Sequence, residues 1–215
     1  VPGAVYLDLD RDLADPPGER GRHPLPDPEA LAERLGELGV GSEHEVVVYD
    51  QDGGMYAARA WWLLRYLGMD GVRFLDGGYR AYLAAGGTVS VETPAHPPAT
   101  FTVRRRDDMV AEAEEVLARL RDPGLVLLDA RAPERYRGET EPLDAVAGHV
   151  PGAVNRPYTR SLGAEGLLGT AELAAVHRVA ELPAGADVVA YCGSGVSAAH
   201  LVLALEVAGR PGVRL

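Results

Sequence analysis

The chain has 215 residues, 47% of them apolar and 25% charged, with a formal net charge of −11. That length suits one large or two small globular domains, and the negative balance argues against nucleic acid or an anionic membrane surface as a partner. The single cysteine excludes an internal disulfide and fits a reducing, cytoplasmic compartment; no apolar run is long enough to span a bilayer, and the histidines show no metal-ligand spacing.

In chain order, Val1-Pro2-Gly3-Ala4-Val5 comes first. Residues 27–38 carry Leu31, Leu35 and Leu38 on one face, which predicts a helix closed by the glycine-rich turn 39–41. An apolar run at 46–49 predicts a strand, followed by the loop Asp50-Gln51-Asp52-Gly53-Gly54-Met55 and a helix over 56–67, where Trp61 and Trp62 read as packing residues. A strand over 72–75 and a helix over 79–85 follow. Residues 88–100, with Pro94, Pro97 and Pro98, read as a linker, and Arg104-Arg105-Arg106 beside it as a solvated strand edge. A helix is predicted over 107–121, capped by Asp107 or Asp108, and Pro123-Gly124 turns it into a strand at 125–128. Strands alternating with helices imply parallel pairing and right-handed crossovers.

The order of elements repeats. Val1-Pro2-Gly3-Ala4-Val5 recurs at Val150-Pro151-Gly152-Ala153-Val154, Val46-Val47-Val48-Tyr49-Asp50 resembles Val188-Val189-Ala190-Tyr191-Cys192, and Gly71-Val72-Arg73-Phe74 resembles Gly212-Val213-Arg214-Leu215, at offsets of 149, 142 and 141 residues. Three matches in register read as two copies of one α/β unit. The second copy has a strand before its Val-Pro-Gly-Ala that the first lacks, and the first continues past the point where the second stops. Completing both copies predicts that the chain is part of a polypeptide of roughly 270–280 residues.

The stretch with the strongest chemical signal is Val188-Val189-Ala190-Tyr191-Cys192-Gly193-Ser194-Gly195-Val196-Ser197-Ala198-Ala199-His200. It reads as a strand, a tight loop headed by the only cysteine, and a helix through Leu201, Val202, Leu205 and Val207. Glycines at 193 and 195 let successive N–H groups turn inward, and the helix start adds its positive end, so a sulfur anion is favoured there. A buried structural cysteine is the plain alternative. Phosphate-ester cleavage would want an arginine six residues after the cysteine; that position is Ala198, and the loop holds no basic residue.

Together with Leu128-Asp129-Ala130-Arg131, Arg135-Tyr136 and Gly148-His149-Val150-Pro151-Gly152-Ala153, this loop resembles the two-domain rhodanese family, whose members act as 3-mercaptopyruvate or thiosulfate sulfurtransferases. Cys192-Gly193-Ser194-Gly195-Val196-Ser197 is similar to the mercaptopyruvate branch, with serine where threonine is usual. The resemblance implies tandem α/β domains, each a parallel sheet flanked by helices: an inactive, N-terminally incomplete domain over 1–87, the linker 88–100, and a catalytic domain over 101–215 lacking its C-terminal end. Asp50 stands where the first copy would carry a cysteine.

It further implies that Cys192 takes a sulfane sulfur from a small anionic donor and that the loop from Gly193 through Gly195, Val196 and Ser197 binds it. The sulfur then leaves to cyanide or to an external thiol such as thioredoxin, with no cofactor and no metal. Arg135 matches the family's substrate-binding arginine; a surface ion pair with Glu134 or Glu139 is the alternative. A second arginine usual nine residues later is Asp144 here, with Arg137 as its possible substitute. Asp10, His23 and Ser194 match an acid–base set of the mercaptopyruvate branch, expected to bring both domains to one cleft. His149 reads as structural, and Asp129 as a support for Arg131 or the cysteine loop. A persulfide carrier and a non-catalytic regulatory tandem are the rival readings.

Overall fold

A computed structural model describes residues 1–51 and 53–215; Asp52, within the predicted loop 50–55, lies outside the described residues. The chain forms two compact units, Val1–Arg106 and Asp107–Leu215.

In the first unit, α1 (Pro28–Glu37) begins where the Asp27 carboxylate accepts the N–H groups of Glu29 and Ala30, and its buried face is Leu31, Ala32, Leu35 and Gly36. β1 (Val46–Val48), α2 (Met55–Tyr66), β2 (Val72–Phe74) and α3 (Gly78–Ala84) follow, with β1 and β2 parallel and Val47 opposite Arg73. α2 is buried from Ala57 to Leu64, including Trp61 and Trp62. Arg59 is enclosed with them, and its guanidinium donates to the carbonyls of Leu13, His23 and Pro24, which satisfies a cation otherwise costly to bury.

Residues 99–106 belong to this first unit, so the division falls later than Phe101. Ala99 N–H donates to Gly36, Arg104 N–H to Leu67 and Arg106 N–H to Tyr66, while the Arg106 guanidinium pairs with Asp70. The run Arg104-Arg105-Arg106 thus ties the segment after the prolines to the end of α2.

The second unit contains α4 (Ala113–Ala118), β3 (Leu125–Asp129), α5 (Pro133–Tyr136), β4 (Val154–Asn155), α6 (Thr170–Val176), β5 (Asp187–Tyr191) and α7 (Val196–Val207). Its sheet runs β4-β3-β5, all parallel, with Asp129 opposite Tyr191. Leu127, Leu128, Val188, Val189 and Ala190 are buried in it, and α7 is buried from Ala198 to Leu205.

The predicted helix over 107–121 is corrected. Asp107–Met109 form one 3-10 turn, α4 begins only at Ala113, and neither Asp107 nor Asp108 caps it. The intervening peptides pair instead with the end of the chain: Ala111 N–H donates to Leu215 O, Leu215 N–H to Met109 O, and the Arg214 guanidinium to Val110 O. Those long-range bonds replace the i to i−4 bonds a continuous helix would need.

The repeat is visible as backbone register. Val47 opposes Arg73 in the first unit, and Val189 bridges Arg214 in the second, also in parallel. Both Val-Pro-Gly-Ala segments close as turns, Ala4 N–H to Val1 O and Ala153 N–H to Val150 O. Gly3 and Gly152 sit at φ of 74° and 85°, a conformation that favours glycine at the third residue of the turn, directly after the proline.

Candidate active site

Cys192 follows β5 and precedes the loop Gly193-Ser194-Gly195 that delivers the chain into α7. Gly195, the residue before the helix, has φ of 74°, which a side chain at that position would strain. The thiol is partly exposed and unpaired with any other sulfur. The Ser194 N–H donates to Cys192 Sγ at 3.4 Å. The first return bond of α7 is Ala199 N–H to Gly195 O, so the N–H groups of Val196, Ser197 and Ala198 open the helix without an intrahelical acceptor. Twelve residues of aligned peptide dipoles stand behind this end. Such a terminus can hold an anion beside the sulfur.

The corresponding loop of the first unit shows what this backbone does with a negative charge. Asp50 carboxylate oxygens accept N–H groups from Gly54 at 2.8 Å and from Tyr56 and Ala57, both at 2.9 Å, at the start of α2. A carboxylate of the chain itself occupies the anion cradle, where the second unit carries a thiol. Asp50→Ala removes three charge-assisted bonds at a helix start and is expected to destabilise the chain by roughly 1–3 kcal/mol, read from urea unfolding. A change below about 0.5 kcal/mol would show that these bonds are replaced by water at no loss.

Asp129 at the end of β3 is fully buried beside Tyr191. Its carboxylate accepts Arg131 N–H at 2.9 Å and the Arg131 guanidinium at 2.7 Å, and Arg131 also reaches Gly148 O and Glu141. Tyr191 O accepts Ala130 N–H, while its hydroxyl accepts Val150 N–H at 3.0 Å. Burial, first, pushes that phenol well above its ordinary range. Asp129, Arg131 and Tyr191 thereby fix the strand ends from which the cysteine loop departs.

Arg135 on α5 meets neither Glu134 nor Glu139. Its Nε and Nη2 donate to Glu141 at 3.2 and 2.7 Å, and Nη2 donates also to Asp144 at 2.8 Å. Arg135, first, and then the N–H of Asp144 hold the Glu141 carboxyl at about 2. Arg137 is more exposed and is engaged edge-on by Glu139, with two contacts of 2.7 Å. His149 stacks on Tyr136 with ring centres 3.8 Å apart and bonds to the Tyr136 carbonyl, a structural placement.

In the first unit, His23 Nε2 lies 2.9 Å from Asp10 Oδ1, with Asp10 largely exposed and the imidazole largely covered. The structure thus brings Asp10 and His23 together; Ser194 belongs to the cysteine loop of the second unit. Arg59 escaped the sequence reading as a support of the His23 backbone, although a cation flanked by alanines and tryptophans in an apolar helix is a signal that carbonyls must surround it. Glu141 was missed for want of any local pattern. Among the described residues no group of three or more histidine, cysteine or acidic side chains could hold a metal ion, and no helix is long and apolar enough to cross a membrane.

The sequence model of the rhodanese-like domain matches residues 1–85 and 112–215. A probable 3-mercaptopyruvate sulfurtransferase of Pseudomonas aeruginosa is 46% identical across the whole chain and 78% of that protein, and a putative thiosulfate sulfurtransferase, SseB, of Mycobacterium tuberculosis is 41% identical over 98% of the chain and 75% of its own length. The crystal structure of SseA from Escherichia coli, a 3-mercaptopyruvate sulfurtransferase, superposes with a TM-score of 0.87 at 33% identity, over 100% of this chain and 80% of that one. Two matched domains, parallel sheets with flanking helices, and similarity to such enzymes along the whole of this chain lead to one conclusion: the chain belongs to the rhodanese family and is a sulfurtransferase.

Proposed function

We propose that the chain moves a sulfane sulfur from 3-mercaptopyruvate, with thiosulfate as a second donor, through a persulfide on Cys192 to an external thiol or cyanide. The observation that carries this reading is the partly exposed Cys192 thiol at the mouth of a two-glycine loop whose amides open α7. The thiolate attacks the donor sulfur and an S–S bond forms. With 3-mercaptopyruvate the C–S bond breaks, its electron pair passes to carbon, and protonation gives pyruvate. With thiosulfate the S–S bond breaks and sulfite leaves with the pair. Loop amides from Gly193 to Ser197 stabilise the outer sulfur anion. The acceptor is assigned as an external thiol, a dithiol such as thioredoxin being suited to release sulfide.

Arg135 is assigned the donor carboxylate, with the exposed Arg137 as an outer attractor. Asp10 orients His23 as a proton carrier of the mercaptopyruvate reaction, and the Ser194 hydroxyl of the cysteine loop is assigned to the same reaction. Similarity of the loop Cys192-Gly193-Ser194-Gly195-Val196-Ser197 to the mercaptopyruvate branch supports the order of donors.

The test is to present each donor in turn with a thiol acceptor. Expected are pyruvate release exceeding sulfite release, and a mass gain of one sulfur confined to the Cys192 peptide when the acceptor is withheld. Sulfur loading without sustained pyruvate release would point to the carrier reading. No loading would leave only the regulatory one.

A further inference from the structure

A guanidinium has two edges that can grip a carboxylate with a pair of parallel N–H bonds. One edge is Nε with Nη2, the other Nη1 with Nη2. In Arg135 the first edge is filled by Glu141, with Nε on one carboxylate oxygen and Nη2 on the other. The second Nη2 hydrogen, which faces the other edge, goes to Asp144 Oδ2 at 2.8 Å. Any ligand carboxylate gripping Arg135 by its remaining edge must therefore meet Asp144 first.

The two carboxylates are not held alike. Glu141 is 5% exposed, also accepts the N–H groups of Leu143 and Asp144, and shares its Oε2 with Arg131. Asp144 is 31% exposed, sits in the loop that follows, and meets Arg135 through its Oδ2. Glu141 is a fixed brace; Asp144 can swing into water without unmaking the brace.

We infer that Asp144 is a built-in competitor for the donor carboxylate: a displaceable acid on the free edge of Arg135 that sets donor affinity. The inference rests on the assignment of Arg135 to the donor carboxylate. A donor enters by exchanging its carboxylate for that of Asp144 on Nη2 and adding the Nη1 bond, while Glu141 keeps the guanidinium in place.

The experiment is steady-state kinetics of the full chain with 3-mercaptopyruvate, together with inhibition by pyruvate, which carries the carboxylate but no transferable sulfur. Asp144→Ala is expected to lower KM and the pyruvate inhibition constant about 3- to 10-fold, with kcat within about twofold, the pattern of a change in binding common to ground and transition state. Asp144→Asn, a weaker acceptor of the same shape, is expected to fall between and decides the matter alone if the alanine variant fails to fold. Glu134→Gln removes an equal charge from an exposed neighbour and is expected to move neither constant beyond about twofold. An unchanged or raised KM in the Asp144 variants, or an equal fall in Glu134→Gln, overturns the inference. Arg135→Ala separates it from its foundation. A raised KM there with inert Asp144 variants removes the competitor only, whereas an unchanged KM in Arg135→Ala removes the donor assignment as well.

Discussion

Cys192→Ser reduces sulfur transfer from either donor to the rate of the acceptor alone, and the chain stays folded. Serine fills nearly the same space, and the side chain is only partly buried, so the stability change is expected within about 0.5 kcal/mol. The loss is chemical. An alkoxide is too basic to form at neutral pH, and oxygen gives no bond to the donor sulfur that a thiol could later reclaim. The Ser194 N–H would still find an acceptor in the new hydroxyl, so the loop keeps its shape. Residual turnover above about a tenth of the wild-type rate would place the sulfur elsewhere and sink the persulfide reading. The melting curve, run beside the assay, distinguishes lost chemistry from a lost fold.

Parallel pairing, the two-unit repeat and the loop ahead of α7 were readable from the chain because local patterns determine them. Three valines before Asp50 and an apolar run before Cys192 each lead through glycines into an apolar helix, and the backbone repeats accordingly. What escaped the sequence reading depends on distant partners. Residues 107–121 have a helical pattern, yet Val110 and Ala111 are claimed by Arg214 and Leu215, about a hundred positions away. Glu134 and Glu139 are near Arg135 in the chain, but Glu139 is occupied by Arg137, and the loop after α5 folds back to present Glu141 and Asp144 instead. No periodicity predicts such a return. The absence of a second arginine at Asp144 was legible as a gap; that the aspartate would bond Arg135 was not.

Acid should weaken the chain first through His177, a residue outside the proposed chemistry. It lies at the C-terminal end of α6, wholly buried, with Nε2 2.8 Å from Ser161 Oγ and its carbonyl accepting the Arg156 guanidinium. Burial, and then the positive charge of Arg156, push the imidazole from its ordinary 6.5 down to about 4. The folded state therefore keeps a neutral ring where the unfolded chain takes up a proton. Stability from this site is complete above pH 6.5 and falls as the pH drops toward 4. Between pH 7 and pH 5 the loss is roughly 2 kcal/mol. Glu115 and Glu141 act in a lower window. Arg214 and Arg135 respectively hold them near 2, so their contribution is present above about 4.5 and is lost only as the pH falls toward 2. Urea unfolding at pH 7 and pH 5 separates the two. His177→Gln, which can keep a bond to Ser161 but cannot take the proton, is expected to abolish most of the difference between those pH values while leaving the steeper loss below pH 4.5. If the variant keeps the full difference, the titrating group is another, and the buried imidazole is already solvated in the native state.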